Sequence, residues 1–143
     1  MPLEFPGAHV VELEVRDADI DAYQHVNNAV YLTWLDRAAW SHSTALGVPL
    51  EQCVAMRRGM AALRTEIDFV RAALAGDRVQ VGTWIADSDA RLRVERRFQV
   101  LRMADGATLA RARTEYVCIN LDSGKAVRMP ELFAQRYVAT VNS

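Results

Sequence analysis

The sequence is poor in several features that mark particular classes of protein. It holds only two cysteines, Cys53 and Cys118, which are far apart and form neither a disulfide framework nor a CxxC metal or redox site. The three histidines, His9, His25 and His42, lack paired ligand spacing, so we expect no metal site. No apolar run approaches the roughly 20 residues of a membrane span, and the N-terminus is not basic. We therefore expect a cytoplasmic protein with no membrane partner.

Charge and length narrow the possibilities further. The formal net charge of −1 provides no broad field that would attract nucleic acid, so we expect small molecules as partners instead. Apolar residues make up 51% and charged residues 24% of the 143 residues, a mixture typical of globular proteins. Because no linker or internal repeat interrupts the chain, residues 1–143 are predicted to form a single domain.

The predicted elements follow one another as a strand, a long helix and four more strands. Apolar and acidic residues alternate over 10–16, which predicts a strand, and residues 28–46 before Gly47 predict a largely buried helix. Four strand-like stretches then occupy 61–70, 78–86, 91–103 and 108–120. No further helix is expected between them, and Asp105-Gly106 predicts a hairpin turn. We predict an α+β fold in which an antiparallel sheet, ending in a four-strand meander, curls around one central helix. A last helical turn is expected within 130–137.

The polar loop between the first strand and the helix contains the strongest candidates for catalytic residues. Asn27 is predicted to cap the helix, and the N–H groups that begin the helix, including that of Asn28, could polarise a carbonyl oxygen. Asp21, a few residues upstream, could then attack that carbonyl or activate a water. His25 could orient Asp21 or act as a general acid, or it could only bond loop carbonyls. Taken alone, an aspartate before a helix is more often a turn or capping residue.

Other polar residues are predicted to have structural roles. Asp17 and Asp19 are expected to be solvated turn residues, and Asp36 to be a solvated or paired carboxylate on the polar stripe of the helix. His42 lies opposite that stripe, where a lone histidine is usually packed and hydrogen-bonded. Arg96 falls on the apolar side of its strand, which predicts a buried ion pair or an interface.

Residues 15–40, VRDADIDAYQHVNNAVYLTWLDRAAW, resemble the hot-dog-fold acyl-CoA thioesterases of the 4-hydroxybenzoyl-CoA thioesterase type. The matching residues are Asp19, Asp21, His25, Val26, Asn27, Asn28, Tyr31 and Asp36. Residues 66–79 are similar to the next strand and turn of the family. The sequence departs from the motif at Gln24, where the family usually has glycine, and at Ala72, where many members have proline.

The resemblance implies a hot-dog fold and hydrolysis of an acyl-CoA or acyl-carrier-protein thioester without a cofactor. It implies Asp21 as the nucleophile or general base, Asn28 as the oxyanion N–H donor and His25 as a further catalytic residue. Asn27, Tyr31 and Arg91 would bind substrate, with Arg91 on the CoA phosphates. The family also implies a homodimer or homotetramer with each site between subunits. Two alternatives remain, a hot-dog hydratase or dehydratase and a non-catalytic acyl-CoA-binding module.

Overall fold

The computed structural model describes residues 3–141. Its strands are β1 (His9–Glu14), β2 (Arg58–Phe69), β3 (Arg78–Ser88), β4 (Arg93–Arg102) and β5 (Thr108–Asn120). Its helices are α1 (Asn28–Ala45), α2 (Leu50–Met56) and α3 (Glu131–Arg136), and a short 3-10 turn covers Asp17–Asp19. Every strand pair in the described range is antiparallel, and the strands form one sheet in the order β1-β3-β4-β5-β2. The predicted α+β fold, a sheet packed on one long helix, is confirmed.

The position of β2 differs from the predicted meander. β3, β4 and β5 are joined as successive hairpins, but β2 pairs with β5, from Arg58 opposite Asn120 to Phe69 opposite Ala110. β2 and β1 therefore form the two edges of the sheet, and the connection from β2 to β3 crosses the sheet. The prediction of a four-strand meander is wrong on this point because side-chain alternation identifies strands but does not identify their partners.

Helix α1 begins and ends at the signals that the sequence contains. The side-chain oxygen of Asn27 accepts a hydrogen bond from the Ala29 N–H at 2.9 Å, which confirms Asn27 as the N-cap. At the other end the Leu46 N–H donates to the His42 carbonyl, and Gly47 follows with a φ of +88°. Glycine commonly occupies the position directly after a helix because it adopts the left-handed conformation without steric cost.

Only one face of α1 is buried in the single chain. Its core residues pack against β3, β4 and β5 and comprise Tyr31, Trp34, Leu35, Ala38 and Ala39. The opposite face contains two large apolar side chains in contact with solvent, since Leu32 is 49% exposed and Trp40 is 40% exposed. The prediction of a largely buried helix therefore holds for one face of α1 and fails for the other.

A second core cluster involves a helix that the sequence did not predict. Cys53 of α2 and Phe133 of α3 are buried in this cluster together with Ile85, Val94 and Cys118 of the sheet. Pro49 directly precedes α2, and proline is common at the start of a helix, although after Gly47 it is equally typical of a chain segment that follows a helix end. The helix α3 matches the helical turn predicted within 130–137.

Two polar side chains from opposite sides of the core meet inside it. His42 is 7% exposed, as predicted for a packed histidine, and its Nδ1 lies 2.6 Å from Nη1 of Arg96. Arg96 is 3% exposed and also donates from Nη2 to Ser43 Oγ at 3.2 Å. No described carboxylate lies within 4.0 Å of this guanidinium, so the predicted buried ion pair is wrong for the single chain.

Candidate active site

The loop before α1 is a tight hairpin. Ile20 and Val26 form an isolated antiparallel bridge, and inside it the Asp21 N–H donates to the His25 carbonyl at 2.8 Å. The Gln24 N–H closes the turn on the Asp21 carbonyl at 3.0 Å, and Gln24 has a φ of +67°. A turn of this kind favours aspartate at its first position and a left-handed residue, normally glycine, at its last. The family's glycine at position 24 therefore has a conformational reason, and Gln24 occupies the same conformation with a side chain.

The carboxylate of Asp21 is held by the backbone of its own loop. One oxygen, Oδ1, accepts from the Tyr23 N–H at 2.9 Å and from the His25 N–H at 3.4 Å. None of the described residues donates to the other oxygen, Oδ2. One carboxylate oxygen thus fixes the side chain through local hydrogen bonds, while the other is available to a bound water or substrate.

The start of α1 supplies a backbone donor beside this carboxylate. The Ala29 N–H is taken by Asn27 Oδ1 and the Val30 N–H by the Asn27 carbonyl, both at 2.9 Å. In the described part of the chain no acceptor is hydrogen-bonded to the N–H of Asn28. Helices begin with N–H groups that have no partner within the helix, and the helix dipole makes them good ligands for a partial negative charge.

These groups line one cleft of about 370 Å³. Its lining residues are Asp21, Tyr23, His25, Val26, Asn28, Tyr31, Phe69, Val70, Arg71 and Ala72. Polar groups stand on the loop side, and the opposite wall is formed by the end of β2 and the segment after it. The cleft therefore combines a carboxylate and an unpaired backbone donor with a partly apolar wall, the usual composition of a small-molecule site.

Tyr31 forms the floor of the cleft and joins its two walls. Its hydroxyl accepts from the Ala73 N–H at 3.2 Å, and its ring packs edge-on against Phe69 with centroids 5.1 Å apart. Burial raises the pKa of the Tyr31 hydroxyl, so the side chain is a neutral hydrogen-bonding group at physiological pH. The Val26 N–H donates to the Ala73 carbonyl at 3.0 Å, which ties the loop before α1 to the same segment.

An arginine of β4 holds that segment in place. Arg102 donates from Nη2 to the Ala72 carbonyl at 2.8 Å and from Nε to Asp77 Oδ2 at 3.0 Å. Asp77 Oδ2 also accepts from the Leu74 N–H at 2.9 Å. Asp77 raises the pKa of Arg102, chiefly through their side-chain hydrogen bond. The residues after β2 are therefore fixed to the end of the sheet.

The structure brings together most of the residues predicted to form the site. Asp21, His25, Asn28 and Tyr31 all line the cleft, and Asn27 caps the helix that begins there. Sequence reasoning missed Phe69 and Arg71, which also line it. They lie at and after the end of β2, and the sequence did not predict which strand β2 pairs with. Arg71 could have been found from its position directly before Ala72, which was compared with the family motif.

Arg91 is not part of this cleft within one chain. It lies in the loop before β4 and not, as predicted, at the start of the strand. The cleft adjoins the other end of β4, where Arg102 bonds to Ala72. The ten residues of β4 separate the two ends by about 30 Å, at roughly 3.3 Å per residue.

Asp19 is not a solvated turn residue, and this corrects the prediction. It is buried, and its carboxylate accepts from the Arg16 N–H at 2.9 Å and from Nη2 of Arg16 at 3.2 Å. Its carbonyl accepts from the Asn27 N–H at 2.8 Å. Asp17 is exposed, as expected. Asp19 therefore shapes the loop that presents Asp21.

With this geometry established, comparison with known proteins identifies the family. A model described as the thioesterase-like superfamily matches residues 15–137. The chain belongs to the thioesterase-like superfamily. The long-chain acyl-CoA thioesterase FadM of Escherichia coli (strain K12) is 25% identical over 118 residues, covering 82% of this chain and 88% of that protein. Family membership confirms the predicted thioester hydrolase and favours it over the hydratase and the binding module.

Solved structures agree with this thioesterase-like fold. A 1,4-dihydroxy-2-naphthoyl-CoA thioesterase from Synechocystis superposes with a TM-score of 0.81 at 24% identity, over 91% of this chain and 95% of that one. A hypothetical protein from Thermus thermophilus superposes with a TM-score of 0.82 at 26% identity, over 90% of this chain and 95% of that one. The hot-dog fold predicted from the sequence is thereby confirmed.

Residues 3–141 contain neither a candidate metal site nor a candidate membrane-spanning helix. No group of three or more His, Cys, Asp or Glu side chains in this range is arranged to hold a metal ion. Within the same range, none of the helices is both long enough and apolar enough to cross a membrane.

Proposed function

We propose that this protein hydrolyses acyl-CoA thioesters, with Asp21 as the nucleophile or general base and the Asn28 N–H polarising the thioester carbonyl. The observation that carries this proposal is that both groups line one cleft in a member of a thioesterase superfamily. The CoA thioester as substrate is supported by FadM and by the Synechocystis enzyme, which are both described as CoA thioesterases.

Thioester hydrolysis needs a carboxylate near the carbonyl carbon, to attack it or to activate water, and a hydrogen-bond donor to the carbonyl oxygen. A hydrogen bond from the Asn28 N–H stabilises the negative charge that develops on the carbonyl oxygen when the carbon is attacked. In the first route Asp21 removes a proton from water, the hydroxide adds to the carbon, and the C–S bond breaks to release CoA and the free acid. In the second route Asp21 attacks directly, CoA leaves as the thiolate and takes up a proton, and water then hydrolyses the acyl anhydride.

His25 and Arg71 are assigned supporting roles in this proposal. The His25 N–H holds Asp21 Oδ1, and its imidazole, exposed in the same cleft, is suited to donate a proton to the departing thiolate. Arg71 is an exposed cation at the rim, and a guanidinium there suits the phosphates of CoA through its forked donors.

The proposal includes a homodimer formed through the edge strand β2, with a tetramer as a further assembly of two dimers. Exposed apolar side chains on β2 and on the adjoining face of α1 include Leu32, Trp40, Leu63 and Phe69. An exposed edge strand of this kind readily pairs with a second copy. Antiparallel pairing of two β2 strands would place the Arg58 end of one beside the Phe69 end of the other. Arg91 of one chain would then approach the cleft of its partner, which is how it would contact CoA.

Sedimentation equilibrium tests the dimer directly. We expect a dimer or tetramer for the natural chain and a monomer for Leu63→Lys, because a charge at the centre of the paired edge opposes strand pairing. A natural chain that is monomeric at micromolar concentration and fully active would contradict this part of the proposal.

Asp21→Asn tests the catalytic assignment. The amide oxygen can keep the two loop hydrogen bonds now made by Oδ1, so the fold and substrate binding should be preserved. Because an amide neither attacks a carbonyl nor takes a proton from water, we expect kcat to fall about a hundredfold or more. The measurement is release of free thiol from a panel of acyl-CoAs that differ in length and aromaticity.

Asp17→Asn is the matched control, because it makes the same change at an exposed position of the same loop. Asp19→Asn is less suitable, since the Asp19 carboxylate is buried and bonded to the backbone. Equal losses in Asp21→Asn and Asp17→Asn would mean that the loop acts through its general charge. Normal turnover of Asp21→Asn, with His25→Ala inactive, would transfer the catalytic role to His25.

A further inference from the structure

A second cavity, separate from the catalytic cleft, lies between α1 and the sheet near the C-terminal half of the helix. It measures about 140 Å³ and shares no lining residue with the cleft. Its walls include Trp40, Met60, Tyr116 and Tyr137, and Arg96 reaches it from β4. Its volume is close to that of engineered cavities that hold one benzene ring, which is roughly 150 Å³.

The guanidinium of Arg96 brings an uncompensated positive charge to this cavity. Two of its five N–H bonds are used on His42 and Ser43, and its Nε has no hydrogen-bond partner among the described residues. No described carboxylate lies within ion-pair distance. Burying a charge without a counterion is costly, and buried charges in proteins are usually paired.

The groups around Arg96 are neutral: the guanidinium lies over the Tyr116 ring, 5.9 Å from its centroid, but no neighbouring group supplies a counter-charge. Burial first, and the charge of Arg96 second, lower the pKa of His42 to about 4, which leaves a neutral imidazole that accepts from the guanidinium. Burial likewise raises the pKa of the Tyr116 and Tyr137 hydroxyls, which stay protonated. Asp36 also lines the cavity, but it is exposed and is not paired with Arg96. The cluster therefore keeps a net positive charge at the buried end.

We propose that this cavity binds an organic carboxylate with an apolar body about the size of one aromatic ring, and that Arg96 pairs with the carboxylate. A planar guanidinium matches a carboxylate in a bidentate geometry, and one cation balances one anionic charge. A phosphate dianion carries two negative charges, which a single guanidinium balances only in part. The aromatic and aliphatic walls suit an apolar body.

The carboxylate has two possible sources. One is the far end of the acyl group of the substrate, and this source rests on the proposed thioesterase function. The other is a free carboxylic acid that binds independently of the thioester. Both use the same chemistry at Arg96, and the experiment separates them.

Calorimetric titration of the full chain with benzoate tests the cavity. We expect one site per chain for benzoate and none for benzamide, which has the same shape without the charge. Arg96→Met should weaken benzoate binding by about tenfold or more, because it removes a charge-assisted pair. Asp21→Asn should leave it unchanged, since Asp21 lies in the other cleft. Ala62→Leu is a second variant, which narrows the cavity from β2 while Arg96 stays in place. Because β2 is also the edge of the proposed dimer, sedimentation of this variant must match that of the natural chain, and its benzoate binding should then be weakened as well.

Kinetics with adipoyl-CoA and hexanoyl-CoA identify the source. A preference for adipoyl-CoA in kcat/KM that disappears in Arg96→Met assigns the site to the far end of the acyl group. Benzoate binding that depends on Arg96, without such a preference, assigns it to a free acid. If no thioester is hydrolysed, the proposed function fails while the benzoate titration still decides the cavity. Absence of benzoate binding, equal binding of benzamide, or equal affinity in Arg96→Met or Ala62→Leu would overturn the proposal.

Discussion

The buried pair of His42 and Arg96 predicts that the protein loses stability in mild acid. In the unfolded chain a histidine takes up a proton near its ordinary pKa of 6.5, whereas in the folded chain burial and the Arg96 charge lower the pKa of His42 to about 4. Between these two values the unfolded state binds more protons than the folded state. The free energy of unfolding therefore rises with pH across this window.

The size of the effect follows from the same two values. The stabilisation is complete above about pH 6.5 and is lost progressively as the pH falls to about 4. The difference between the two pKa values corresponds to about 3 kcal/mol, because each pKa unit is worth 1.36 kcal/mol. His42 is only 7% exposed, so solvent screens little of this effect. A loss of this size is a large fraction of the 5–15 kcal/mol that typically stabilises a domain, so it should be easy to measure.

Urea denaturation at a series of pH values between 4 and 7 measures the effect, and His42→Asn isolates it. The asparagine oxygen can take the place of Nδ1 as the acceptor for Arg96 but does not titrate. Carboxylates that titrate in the same window contribute equally to both proteins, so the difference between them reports His42. His9→Asn is the comparison variant. His9 stacks on His42 with ring centroids 5.2 Å apart, and burial lowers the pKa of His9 as well, so this variant removes the separate contribution of His9 to the pH dependence while His42 still titrates.

We expect the natural chain and His9→Asn to lose stability steeply below pH 6.5. Between pH 7 and pH 4 the loss in His42→Asn should be smaller by about 3 kcal/mol. Parallel pH profiles for the natural chain and His42→Asn would refute the reasoning. They would mean that His42 takes up its proton in the folded state with little penalty, despite the neighbouring guanidinium.

Two further predictions concern the loop before α1. Gln24→Gly should raise the free energy of unfolding by about 1 kcal/mol. The left-handed conformation costs a residue with a side chain roughly 1–2 kcal/mol, and the greater entropy of glycine in the unfolded chain cancels part of the gain from removing that cost. Thermal denaturation measures the change, and an unchanged melting temperature would show that the turn is relaxed around Gln24. Asn27→Ala should lower the free energy of unfolding by about 1 kcal/mol and also reduce turnover, because α1 loses its cap and the Asn28 N–H loses its fixed position. Asn27→Ser should retain both the stability and the turnover of the natural chain. Unchanged melting and turnover in Asn27→Ala would argue against the cap.

The parts of the fold and site that could be predicted depend on residues close together in sequence. Asp21, Gln24 and Asn27 form their turn and cap with partners two to four residues away, and the local sequence predicted the loop and the Asn27 cap, although not the turn at Gln24. The same holds for the end of α1 at Gly47. Local signals of this kind do not depend on the rest of the chain.

The parts that were missed depend on partners distant in sequence. β2 pairs with β5 some fifty residues away, and nothing in its side-chain pattern specifies that partner. Asp19 is buried because α1 begins against its own loop, and Arg91 is removed from the cleft by the length of β4. The environment of Arg96 depends on His42, which lies on a different element.

The contacts of Arg102 connect the loop before α1 to a distant strand, so changes elsewhere in the chain can alter the position of that loop. Arg102 fixes Ala72, and Ala73 in turn holds both Val26 of the loop and the hydroxyl of Tyr31. The loop that carries Asp21 is thus positioned by a series of hydrogen bonds that begins at the side chain of Arg102 on another strand. Insertions into the exposed turn after Arg102 should be neutral for turnover, whereas shortening the segment between β2 and β3 by one residue should misplace Asp21 although the loop sequence itself is intact.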